Sequence, residues 1–86
     1  MSKGSVLVVE DDVDLREALC DTLELAGYSF REAESGEAAL ASLSEHPADM
    51  VVSDVNMGGM DGHELLKQIN QLYPCMPVSL ITAYGQ

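Results

Sequence analysis

Positive charge is scarce in this chain: four Lys and Arg stand against 15 Asp and Glu, a formal net charge of −11 over 86 residues. So acidic a balance disfavours nucleic acid and anionic membrane surfaces and favours cations or basic partners. Long apolar runs are missing as well. The longest near the start, residues 6–9, is far too short for a signal-peptide core or a membrane span, so a cytoplasmic location is expected. Cysteine is limited to Cys20 and Cys75 with no CxxC spacing, and histidine to His46 and His63 with no partner at metal-ligand spacing. Reduced thiols and structural or incidental roles are expected for these residues. The sequence shows no repeat, linker or low-complexity segment, and its length allows one small domain over residues 1–86. A chain of this size buries only roughly 60% of its unfolded surface.

What is present alternates. An uninterrupted apolar strand over 6–10 suits a sheet covered on both faces. Asp12 or Asp14 can cap a following helix whose apolar positions are Leu15, Ala18, Leu19, Thr22, Leu23 and Ala26, with Gly27 just past its end. A short strand of mixed polarity over 28–31 suits a sheet edge. Ser35 opens a second helix carrying Ala38, Ala39, Leu40 and Leu43. A strand over 50–55, a glycine-punctuated loop and a third helix over 63–72, with Leu65, Leu66, Ile69 and Leu72 inward, come next. Asp61 caps that helix, Pro74 and Pro77 bracket a turn, and a last strand covers 78–82. The order βαβαβαβ predicts a parallel sheet with right-handed crossovers.

Polar groups cluster at the C-terminal ends of three of these strands: Glu10, Asp11 and Asp12 after the first, Asp54 after the third, Thr82 after the fourth. Open parallel sheets bind ligands outside that rim. Singly, each residue has a plainer use. A strand-terminal Asp more often caps a helix or forms a turn, and an acidic triplet serves as a solvated helix entry. Their joint occurrence at strand ends that the topology gathers favours a pocket. Carboxylates so close raise one another's proton affinity unless a cation intervenes. Magnesium suits few carboxylates, a backbone carbonyl such as that of Asn56, and retained waters. No calcium loop of the EF-hand type is present. Beside such an ion, with Thr82 donating a hydrogen bond, Asp54 can attack phosphorus without a base. Met50, Met57, Met60 and Met76 read as packing.

The motifs VLVVEDD, SDVNMGGMDG and LITAYG, in this order and spacing, resemble the receiver domain of two-component response regulators over essentially the whole chain. The second half is further similar to receivers that precede sigma-54-dependent activators, flagellar regulators among them. The resemblance implies a flavodoxin-like (CheY-like) α/β fold of strand order 2-1-3-4. It also implies that Asp54 accepts a phosphoryl group from a sensor histidine kinase. Asp11 would bind Mg2+ directly with Asp54 and the Asn56 carbonyl, and Glu10 through water. Thr82 would be the switch hydroxyl, while Asn56 and Tyr84 occupy positions that tune dephosphorylation. No turnover of an external substrate is implied, and the output is one such as transcription.

Two departures stand out. Met57-Gly58-Gly59 replaces the family's usual Met-Pro-Gly, which loosens the loop. The family's last helix-strand-helix segment, with its lysine, has no counterpart here. An incomplete receiver of this kind is expected to leave a bare strand edge and a partly uncovered sheet face, and so to self-associate. Two other readings stay open. One is a receiver that docks partners without phosphorylation. The other is an aspartyl-phosphate phosphatase, disfavoured because the acid such enzymes want two residues after the nucleophile is Asn56.

Overall fold

A computed structural model describes residues 4–56 and 59–81 of the chain. Its elements run β1 (Ser5–Val9), α1 (Val13–Leu25), β2 (Ser29–Ala33), α2 (Gly36–Glu45), β3 (Met50–Asp54), α3 (Gly62–Leu72) and β4 (Val78–Ile81). All strand pairs are parallel, as the alternating pattern predicts, and the order is β2-β1-β3-β4, as the family resemblance implies. Valine-rich β1 and β3 are central, while mixed-polarity β2 takes one edge and β4 the other.

Side-chain alternation along β1 divides the core in two. Leu7 and Val9 face α2 and α3, where they pack with Ala39, Leu43, Val51, Leu65 and Ile69. Val6 and Val8 face α1 and meet Cys20, with Leu19, Leu23, Phe30, Met50 and Val52 half-buried around them. Each fully buried Leu or Ile side chain here contributes roughly 2 kcal/mol of apolar transfer free energy. On the α1 side one helix covers the sheet among the described residues, so Met50 and Val52 stay half-buried. Among the described residues this is the less covered face, and β4 has a strand neighbour only on its β3 side.

Each helix begins on a side-chain cap. Asp12 accepts from the N–H groups of Asp14 and Leu15, Ser35 from Ala38, and Asp61 from Glu64. Gly27 adopts φ 96° just past α1, where a Cβ would be strained. Two expectations about helix faces require correction. In α1 the buried residue is Cys20, flanked by Leu19 and Leu23, whereas Ala18, Thr22 and Ala26 are exposed. The helix is rotated so that its larger side chains, not its small ones, meet β1. In α3, Leu72 is 61% exposed, because the helix ends there and the chain turns off through Tyr73, which packs on the core instead. Strand β2 begins and ends later than expected, since the ladder follows β1 in register from Ser29 to Ala33.

Both cysteines are free, Cys20 buried and Cys75 exposed. Burial pushes the Cys20 thiol up to about 11, so it packs as a small apolar side chain. No described helix is long and apolar enough to cross a membrane.

Candidate functional site

The register of β1 against β3 builds the site. Val9 pairs with Ser53, and one residue further each strand delivers an acid, Glu10 and Asp54. By alternation both carboxylates fall on the α1 side of the sheet. They are 1% exposed, the two buried acids of the described residues. Among the described residues, the Asp12 N–H donates to Glu10 Oε2 at 3.0 Å, and the Asn56 N–H donates to Asp54 Oδ1 at 3.2 Å. The other oxygens, Glu10 Oε1 and Asp54 Oδ2, are buried without a hydrogen-bond partner among the described residues.

Buried acceptors without donors are costly. Here the neighbour of each acid is another acid. Burial raises the Glu10 carboxyl from 4.5 to about 7. The Asp12 N–H opposes that rise, and contact with the carboxyls of Asp54 and Asp11, together with the Asp54 charge, adds to it. Asp11, next along the loop, is exposed toward solvent. No three His, Cys, Asp or Glu side chains of the described residues form a metal cage by themselves. The expected magnesium set is of another kind, two carboxylates completed by a carbonyl and water. The two orphaned oxygens and the surplus negative charge fit such an ion, which retains several waters.

The loop after Asp54 is held from both sides. The Gly62 N–H donates to the Val55 carbonyl at 3.0 Å, and the Val55 N–H donates to the Ile81 carbonyl at 2.8 Å. A Cβ at position 62 would lie 2.6 Å from the Asp54 carbonyl oxygen. Glycine therefore lets α3 start directly against the end of β3. Of the residues singled out from sequence, Glu10 and Asp54 come together, with Asp11 beside them; Asn56 touches Asp54 through its backbone N–H. Thr82, Tyr84 and the Met57-Gly58 departure lie outside the described residues.

Sequence reasoning overlooked Arg16. Its Nη1 donates to the Glu10 carbonyl at 2.6 Å and its Nε pairs with Glu32 Oε1 at 2.9 Å. The available signal was its isolation: a single cation inside the acidic first half of α1.

A parallel 2-1-3-4 sheet with helices matches CheY-like receiver folds, and comparison with known proteins gives the family. The response regulator receiver domain model matches residues 6–86, and the chain belongs to that family. It is 58% identical over 82 residues to the response regulator protein FleR of Pseudomonas aeruginosa, covering 95% of this chain and 17% of that one. It is 43% identical over 85 residues to the transcriptional regulator NtrC of Salmonella typhimurium, covering 99% and 18%. These relatives are sigma-54 activators, as the resemblance implied, and the chain spans less than a fifth of their length. Among solved structures, TrrA of Thermotoga maritima in complex with Mg(2+)-BeF superposes with a TM-score of 0.90 at 34% identity, over 99% of this chain and 72% of that one. The Vibrio cholerae chemotaxis protein CheY4 gives 0.88 at 33% identity, over 100% and 72%. Receiver domains are signalling modules that interact with histidine kinases in two-component systems.

Proposed function

We propose that residues 1–86 act as one phosphoacceptor unit, in which Asp54 takes a phosphoryl group from the phosphohistidine of a sensor kinase. The observation that carries this reading is the pair of buried oxygens, Glu10 Oε1 and Asp54 Oδ2, at the ends of adjacent strands, which have no hydrogen-bond partner among the described residues. In the transfer an Asp54 carboxylate oxygen forms a bond to phosphorus as the bond from phosphorus to the imidazole nitrogen breaks. The departing imidazole recovers a proton from water, and an acyl phosphate remains. Mg2+, when bound, supplies neutralisation of the phosphoryl oxygens. Asp11, Asp54 and the Asn56 carbonyl would hold it directly and Glu10 through water. The Asn56 N–H fixes Asp54 Oδ1 and thereby the direction of the free oxygen. Thr82 is proposed as the hydroxyl that binds the acyl phosphate and carries the conformational switch to an output such as transcription.

In this role the chain promotes its own phosphorylation without turning over an external substrate, in the cytoplasm where the kinase domain resides. The relatives' coarse identity, receivers of transcriptional regulators, supports the reading. Intact mass after incubation with acetyl phosphate tests it. A single phosphoryl adduct that requires both Mg2+ and Asp54 is expected, with Asp54→Asn as control. A folded protein that gains no adduct would discard this reading in favour of docking independent of phosphorylation.

A further inference from the structure

Arg16 connects the backbone carbonyls of Glu10 and Asp12 and the Glu32 carboxylate around the acidic pocket. At Glu10 the chain leaves the β1 ladder. The Glu10 N–H still donates to the Ala33 carbonyl of β2 at 3.0 Å, but the chain then turns into the Asp11-Asp12 loop. The Glu10 carbonyl finds its donor in Arg16 Nη1, at 2.6 Å. The same guanidinium pairs through Nε with Glu32 on β2, and the Arg16 N–H donates to the Asp12 carbonyl at 2.9 Å. Its side chain is 15% exposed while that of Glu32 is 44% exposed, so the bond to the Glu10 carbonyl is the more shielded of the two.

The arrangement confronts a specific difficulty. Glu10, Asp11 and Asp54 repel one another, and the easiest relief in the absence of a cation is for the Glu10–Asp12 loop to swing off the strand end. Among the described residues, 10–12 are fastened at the Glu10 N–H, the Glu10 carbonyl, the Asp12 N–H, the Asp12 carbonyl and the Asp12 cap. Arg16 alone supplies the second and ties it to the neighbouring strand.

We propose that Arg16 is a positioning residue for the magnesium site: it holds the Glu10 backbone so that the Glu10 and Asp11 carboxylates stay converged on Asp54 before the ion arrives. This rests on the phosphoacceptor reading given above. A plain α1-to-β2 ion pair would tie the helix to the sheet edge and leave metal affinity unchanged.

Mg2+ titration of the purified protein, followed by calorimetry and by the amide resonances of residues 10–12 and 54, separates the two. Arg16→Gln is expected to weaken Mg2+ binding roughly tenfold, the scale at which supporting contacts act on metal sites. Arg16→Lys recovers part of the loss, because an ammonium can reach the Glu10 carbonyl but cannot span both acceptors. Glu32→Gln leaves the bond to the carbonyl and costs less than about threefold. Equal affinity in Arg16→Gln and wild type overturns the proposal. So does a loss that Arg16→Lys does nothing to reduce, since that marks a packing defect. If Arg16→Gln does not fold, wild-type affinity in both Arg16→Lys and Glu32→Gln overturns it. Wild-type protein that binds no Mg2+ overturns the phosphoacceptor reading and this proposal with it, whereas wild-type binding unaffected by Arg16 sinks only the latter.

Discussion

Glu10 is the residue at which the fold and its chemistry conflict. Its carboxyl titrates near 7 in the folded chain against an ordinary 4.5, so the native state holds this proton more tightly than the unfolded one. The stability contributed by protonated Glu10 is fully present below pH 4.5 and is lost as the pH rises through about 7. The difference amounts to roughly 3 kcal/mol at most. Glu10→Gln removes it: the amide carbonyl keeps the Asp12 N–H bond and the amide nitrogen can donate to Asp54 Oδ2. In metal-free buffer the variant is expected to be the more stable protein at pH 8, with the gap closing toward pH 5 in urea titrations. A stability difference that is the same at both pH values would show that burial of Glu10 is not what raises its proton affinity. The same variant should bind Mg2+ more weakly, since stability and metal affinity draw on the same charge.

At the scale of elements, the junction between β3 and α3 is where the site is most exposed to damage from outside it. Gly62→Ala would set a Cβ 2.6 Å from the Asp54 carbonyl oxygen and 2.8 Å from the Val55 Cα, both backbone atoms with little room to yield. A cost of about 1–3 kcal/mol, typical of overpacking, is expected together with slower phosphoryl uptake at Asp54. Asp61→Ala removes only the cap to the Glu64 N–H and should cost about 1 kcal/mol while uptake persists. Melting curves and acetyl phosphate labelling of the two variants side by side check the distinction, and unchanged labelling in Gly62→Ala would refute it. The alternation of strands and helices, the cap at Asp61 and the pairing of Glu10 with Asp54 were legible in the sequence, because period, cap chemistry and strand-end polarity are local signals. The strand order came with the family resemblance, and the choice between Asp12 and Asp14 as the first cap stayed open until the structure gave Asp12. The orientation of α1 was not. Ala18, Thr22 and Ala26 fit a helical stripe as well as Cys20 does, and only the sheet beneath decides between them. Arg16 stood out in sequence only by its isolation as a cation, and its role was not legible, because its acceptor at the strand end is a backbone carbonyl, which leaves no mark in the sequence.

Across the whole molecule, the few cations do little to offset the acidic surface. Arg16 and Arg31 both spend their guanidinium groups on backbone carbonyls, the latter on those of His46 and Pro47. With a net charge of −11, the pocket therefore sits in a field that concentrates divalent ions around it. Mg2+ affinity is expected to fall steeply between low and high NaCl, where screening shortens to about 3 Å at 1 M. An affinity indifferent to salt would mean that the pocket's own oxygens account for binding without help from the surface. The pairing of β1 with β3 carries a consequence for how the protein comes into being. Glu10 and Asp54 are far apart in sequence and meet only when β3 docks between β1 and β4. A nascent chain that has completed β1, α1, β2 and α2 still displays its acids as ordinary hydrated carboxylates. The raised proton affinity of Glu10 requires its burial and the pairing of β1 with β3, so its titration is expected to mark the docking of β3 and not the later addition of β4.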